Sequence, residues 1–114
     1  MKAFIKVMKA LSDPNRVKMM KMLQVRPLCV CEIKETLGIA QSTASKHLKI
    51  LEDAELIRGF KDGLWVNYSL SDGSGSPYSA SMIGNLKHWL ECESEILELN
   101  QVLPGIDRHE IVGK

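Results

Sequence analysis

Apolar side chains recur at helical spacing over the first third of the chain. Phe4, Val7, Met8 and Leu11 mark one face of a helix over residues 3–11. Ser12-Asp13-Pro14 interrupts it. Asp13 can cap a new helix, and Pro14 suits a first helical position, where its missing N–H costs nothing. That second helix runs to about Val25, with Val17, Met20 and Leu23 inward. Met19 and Met22 broaden its stripe as core filler. Pro27 ends it. A third, short helix is predicted over residues 29–37, with Val30, Ile33 and Leu37 on one side and Gly38 stopping it in a left-handed turn. A fourth spans 40–53, with Ala44, Leu48 and Leu51 inward and Ile50 at the flank.

The pattern then changes period. Residues 56–60 and 64–70 read as strands, the second alternating Val66, Tyr68 and Leu70 with Trp65, Asn67 and Ser69. Asp62-Gly63 between them predicts a tight hairpin with both residues at positive φ. Residues 71–78 form a flexible connector. One long helix is predicted over 79–103. Met82, Trp89, Ile96 and Leu103 repeat every seven residues there, accompanied by Ile83, Leu86, Leu90 and Leu97. That stripe is broader than the edge of so small a core needs, so part of it should bury against another chain.

A short helix, a glycine turn, a longer helix and a two-stranded ribbon describe a winged helix-turn-helix. The expected fold is mainly α with a small β-hairpin, five helices and a two-stranded wing. Residues 1–103 would form one domain and 104–114 a C-terminal tail.

The whole chain narrows the alternatives. Its 114 residues suit one domain, and 45% hydrophobic with 25% charged residues is globular composition. No apolar run approaches a membrane span, and Lys2, Lys6 and Lys9 break up what would be the apolar stretch of a leader. The expected location is the cytoplasm, with no membrane partner. Three cysteines, two of them two residues apart, do not make a disulfide framework; in a reducing compartment the pair reads as a metal or redox site, or as core. Charge is uneven. Residues 1–68 carry twelve Lys/Arg against seven Asp/Glu, and residues 69–114 three against seven. Only the first part suits a polyanion.

On the fourth helix, turning Ala44, Leu48 and Leu51 inward turns Ser42, Ser45, Lys46 and Lys49 outward, with Gln41 and Thr43 near the N-terminal end. Such a face is small, hydrogen-bonding and positive, as a DNA major groove requires. Gln41 can pair with adenine, the serines can reach base edges or phosphate, and the lysines can neutralise phosphates. His47 reads as packing or a phosphate contact. Double-stranded DNA is the expected partner.

At this point the chain resembles the arsenic-responsive repressors of the ArsR/SmtB family. The resemblance rests on Leu28-Cys29-Val30-Cys31-Glu32-Ile33, on Gln41-Ser42-Thr43-Ala44-Ser45-Lys46-His47-Leu48, on the wing Asp62-Gly63-Leu64-Trp65-Val66-Asn67-Tyr68, and on Ala10-Leu11-Ser12-Asp13-Pro14-Asn15-Arg16. It covers residues 3–100. It implies a homodimer built from the first and last helices, here through Phe4, Met8, Met82, Leu86, Trp89, Leu90, Ile96 and Leu97. It also implies an imperfect palindromic operator read by two helices about 34 Å apart. Three positions depart from the family pattern. Leu64 stands where a basic wing residue is common, which leaves wing–phosphate contact to Arg58 and Lys61. Glu55 stands where glycine is common. Lys34 stands where the best-known arsenic sensors have a third cysteine.

The resemblance makes Cys29 and Cys31 the inducer site, and trivalent arsenic and antimony prefer thiolates. No resident cofactor is required. The predicted helix N-terminus favours thiolate. Positions i and i+2 of a regular helix point roughly 200° apart, so chelation is expected to unwind the first turn and disturb the recognition helix. Cys92 is a candidate third ligand. His88, Cys92 and Glu95 share a face of the predicted last helix but read as solvated or interface residues; His109 reads as a tail residue. Alternatives keep the repressor and change its signal, to cadmium, lead, zinc or thiol oxidation. An enzyme with a C-x-C dithiol is disfavoured by the single hairpin and the lack of a catalytic His/Asp set. A protein-docking winged helix is disfavoured by the outward Ser/Lys face.

Overall fold

The computed structural model of the protein describes residues 1–109. Its elements are α1 (Lys2–Ala10), α2 (Pro14–Val25), β1 (Leu28–Cys29), α3 (Val30–Leu37), α4 (Gln41–Asp53), β2 (Ile57–Asp62), β3 (Trp65–Leu70), α5 (Pro77–Leu86) and α6 (Ser94–Val102), then a 3-10 turn at Leu103–Gly105. This is the expected winged helix-turn-helix class, with six α-helices instead of five and a third strand added to the wing. The sheet order is β1-β3-β2, antiparallel throughout.

Local chemistry explains the first two helices. Asp13 caps α2, its Oδ1 accepting from the N–H of Asn15 at 2.8 Å and of Arg16 at 3.2 Å. Burial pushes the Asp13 carboxyl up, but the N–H groups of Arg16 and Asn15 outweigh it and hold the group below its ordinary 3.8. The methionine stripe of α2 is core: Met19, Met20 and Met22 are all buried. Lys21 lies between them and is buried too.

That lysine accounts for the largest departure from expectation. The single helix over 79–103 is two helices, α5 and α6, joined by a turn in which Leu90 takes φ +64°. Lys21 Nζ donates to the carbonyls of Leu86 at 2.7 Å and Trp89 at 3.0 Å, and pairs with Glu91 at 3.0 Å. A continuous helix would give those carbonyls to N–H groups four residues on; here a buried ammonium takes them. The seven-residue repeat therefore does not lie on one helix. Ile96 and Leu103 enter the core while Trp89 is 49% exposed.

The wing turn also differs. Asp62 pairs with Trp65, so the two turn residues are Gly63 and Leu64, and only Gly63 has positive φ, at +63°. Glycine at the first central position is one of the two favoured hairpin patterns. Gly38 ends α3 in the left-handed region as expected, at φ +67°. Glu55 also lies there, at φ +62°. A Cβ is strained in that conformation.

The predicted tail is not free over its described part. The Ile106 carbonyl accepts from Arg26 Nη2 at 3.1 Å. Arg108 stacks over the Trp65 ring at 4.9 Å and donates to Asn67 Oδ1 at 3.2 Å. His109 meets the same ring edge-on at 5.9 Å. Residues 110–114 of the expected tail lie outside the described residues.

Candidate DNA-reading face and cysteine site

α4 carries the predicted reading residues as the periodicity requires. Ala44, Leu48 and Leu51 are fully buried. Gln41, Ser42, Thr43, Ser45, Lys46 and Lys49 are exposed. Lys49 also pairs with Asp53 at 3.3 Å, a surface contact of little energy. His47 is half-buried, and its Nδ1 lies 3.0 Å from Arg16 Nη1. That link was invisible in the sequence, since 31 residues separate the two.

On the wing, Lys61 and Arg58 are exposed, with Arg58 3.4 Å from Asp72. Leu64 is wholly exposed at the tip. The base of the wing is tightly fitted. A Cβ on Gly59 would come 3.1 Å from the Tyr68 ring and 3.2 Å from the Glu52 carboxylate. Burial, and then the Glu52 charge, raise the Tyr68 phenol above its ordinary 10.0.

The cysteine pair sits where the wing meets the helix-turn-helix. Cys29 is the last residue of β1 and the N-cap of α3, with extended backbone at φ −85° and ψ 166°. It pairs with Asn67 of β3, and Leu28 pairs with Tyr68. Cys31 is one step inside the helix. Because Cys29 precedes the helical run, the two side chains do not diverge as two helical positions would. Their sulfurs are in disulfide contact, with Cα atoms 5.4 Å apart. The expectation that a shared ligand must unwind the first turn of α3 is thereby corrected: the pair is already convergent. Cys29 is buried and Cys31 half-buried. Glu32 fixes the junction, accepting from the Cys29 N–H at 3.0 Å and from Arg26 at 3.0 Å.

Cys92 is exposed in the turn between α5 and α6. Among the described residues no three His, Cys, Asp or Glu side chains gather as a metal set. Cys92 therefore does not join Cys29 and Cys31 in this arrangement, and His88, Cys92 and Glu95 do not cluster, because the helix that would align them is broken. Glu95 instead faces Lys18 at 3.6 Å. Of the residues expected to pair two chains, Phe4, Trp89, Leu90 and Leu97 are exposed, Met8 and Met82 are half-buried, and Leu86 and Ile96 belong to the chain's own core. Phe4 packs edge-on against Tyr78 at 5.4 Å. No helix among the described residues is long and apolar enough to cross a membrane.

The chain is similar to known proteins. Residues 13–58 match the family model described as bacterial regulatory protein, arsR family. An arsenical resistance operon repressor of Bacillus subtilis is 43% identical over 65 residues, 56% of this chain and 62% of that protein. A cadmium resistance transcriptional regulatory protein CadC homolog of Staphylococcus aureus is 41% identical over 68 residues, 59% of this chain and 56% of that protein. The chain thus spans less than two thirds of the length of either relative. The structure of reduced HlyU from Vibrio cholerae superposes with a TM-score of 0.65 at 30% identity, covering 81% of this chain and 92% of that one. With the winged helix-turn-helix and its cysteine junction in place, the chain belongs to the ArsR family of bacterial regulatory proteins, which are not enzymes.

Proposed function

We propose that the protein is a homodimeric transcriptional repressor that leaves its DNA operator when As(III) or Sb(III) binds Cys29 and Cys31. The observation that carries this reading is the seat of the two sulfurs. They converge at a residue that ends β1, starts α3 and is paired in register with β3 of the wing. A ligand held there acts on the wing and on the helix that supports α4 together. Two thiolates and a solvent oxygen suit a thiophilic ion, and no third cysteine is needed. The match to an arsenical resistance operon repressor supports the choice of ion. Release follows only if the ligand binds the DNA-free conformation more tightly than the DNA-bound one.

Residues 1–103 form the reading and pairing domain in this proposal. Gln41, Ser42, Thr43, Ser45, Lys46, His47 and Lys49 meet an imperfect palindrome, and Arg58 and Lys61 meet flanking phosphates. Phe4, Met8, Met82, Trp89, Leu90 and Leu97 supply the apolar surface for a second copy.

A second reading has an observation of its own. The sulfurs are close enough to pair with each other, so the site suits oxidation, in which two thiols lose two protons and pass two electrons to an oxidant such as a peroxide. Cadmium, for which one relative is named, is a further thiophilic candidate.

The test begins with a duplex enriched from a randomised pool by the purified protein. Binding should weaken steeply as salt rises. Arsenite should then release the duplex with the thiols reduced. Release by peroxide, reversed by a reductant and absent with arsenite, would replace the first reading with the second. Binding indifferent to salt would contradict a phosphate-driven reader.

A further inference from the structure

Arg16 uses all three of its guanidinium nitrogens. Nε donates to the Ala10 carbonyl at 2.7 Å and Nη2 to the Lys9 carbonyl at 3.1 Å, which ties down the end of α1. Nη1 lies 3.0 Å from Nδ1 of His47, on α4. A guanidinium has donors only and keeps its charge in proteins. The contact can therefore form only if Nδ1 is the acceptor. An imidazole that accepts at Nδ1 is neutral and carries its proton on Nε2. Nε2 has no hydrogen-bond partner among the described residues.

We infer that Arg16 is a positioning residue that locks His47 as a neutral Nε2–H donor, and that this donor meets a phosphate oxygen at the flank of the DNA-reading face. The placement favours phosphate over a base edge. Relative to the buried line of Ala44, Leu48 and Leu51, the outward residues Ser42, Lys46 and Lys49 occupy the far side of α4. His47 lies at the boundary, half-buried on the side that meets the α1–α2 junction. A short donor at that boundary suits the backbone strand beside the groove, where contacts fix register. The same guanidinium links α1, α2 and α4, so the donor's direction is set before DNA arrives.

This inference rests on the DNA-binding reading above, and the experiment separates the two. First, two-bond nitrogen–proton correlation NMR on the free protein reads the His47 tautomer directly. The expected result is a neutral ring protonated at Nε2; a ring protonated at Nδ1, or at both nitrogens, would overturn the inference. Arg16→Met should abolish that preference. Because Arg16 also secures α1, variants at His47 keep the question open should Arg16→Met unfold. Glutamine carries an N–H about as far out as Nε2, whereas asparagine reaches only as far as Nδ1. With the enriched duplex, His47→Gln should stay within about threefold of wild type. His47→Asn and His47→Ala should each lose about tenfold, the worth of one hydrogen bond. The salt dependence should be unchanged in all three, since a neutral donor neutralises no phosphate, while Lys46→Ala should lower the salt slope by about one. Equal losses for Gln and Ala, a lowered slope for His47→Ala, or a changed base preference at one operator position would each overturn the phosphate-donor role. A wild-type protein that enriches no duplex would sink the DNA-binding proposal, and the tautomer would still be read from the free protein.

Discussion

In α4 the inward residues Ala44, Leu48 and Leu51 are sealed within the chain, the outward residues are polar and open to solvent, and one apolar side chain, Ile50 at the flank, is 40% exposed. In α5, α6 and the turn between them the apolar residues divide. Leu86, Ile96 and Leu99 are buried, while Trp89, Leu90 and Leu97 stand 41–49% exposed. The first region leaves a single apolar side chain open at its flank; the second presents a group of them. A periodic stripe thus has two causes, packing within the chain and packing against another, and the pattern alone does not separate them. A helix proposed to read DNA is best held by a closed core before binding, and the residues beneath α4 supply one.

Substitutions can break this contrast. Leu48→Ala should have the largest effect, lowering stability by about 2–5 kcal/mol through a cavity under α4. Urea denaturation should show that loss equally at every protein concentration. Leu97→Ala, on the open surface, should lower the denaturation midpoint only at concentrations where two chains associate. A concentration-independent loss at Leu97 would place that residue in the fold of one chain.

Lys21→Met comes next. It leaves the carbonyls of Leu86 and Trp89 without their buried donor, at a cost of about 1–3 kcal/mol. Amide exchange should quicken first in residues 87–93. Uniform quickening across α4 would mean that Lys21 supports the whole core rather than the α5–α6 turn.

Much of the reading region was legible in the sequence. Asp13-Pro14 marks a helix start, Gly38 a helix stop and Gly63 a hairpin, because each is a local conformational demand met by a particular residue. The broken C-terminal helix was not legible. Its cause is Lys21, at least 65 residues away, and no local pattern announces that a distant ammonium will take Leu86's carbonyl. The cysteine geometry was half legible. C-x-C fixed the spacing, but the convergence of the sulfurs depends on Cys29 pairing with Asn67, a contact across 38 residues. Arg108 on Trp65 was missed for the same reason.

Smaller effects are expected at the local conformational signals. Asp13→Ala should cost about 1 kcal/mol through loss of the α2 cap. The Asp13 carboxyl is held below its ordinary value in the folded state. Its contribution should therefore be fully present above about pH 4, the unfolded value, and vanish as pH falls through the depressed folded value. Asp13→Asn keeps the cap but should lack that dependence, which paired urea titrations between pH 2 and pH 6 would reveal (roughly the window in which carboxylates titrate). Glu55→Gly should raise stability slightly, by about 0.5 kcal/mol, as relief of the left-handed strain exceeds the added freedom of the unfolded chain. Thermal melts would detect a shift of that size.

Cys29 and Cys31 are the two residues on which release depends in the proposal, and a single titration tests them. Affinity for the enriched duplex is measured with and without arsenite, under reducing conditions, for wild type, Cys29→Ser, Cys31→Ser and Cys92→Ser. Arsenite should release wild type and Cys92→Ser alike and leave both other variants bound. Arsenite release of the Cys29→Ser and Cys31→Ser proteins, or its loss in Cys92→Ser alone, would rule out an inducer site made of Cys29 and Cys31.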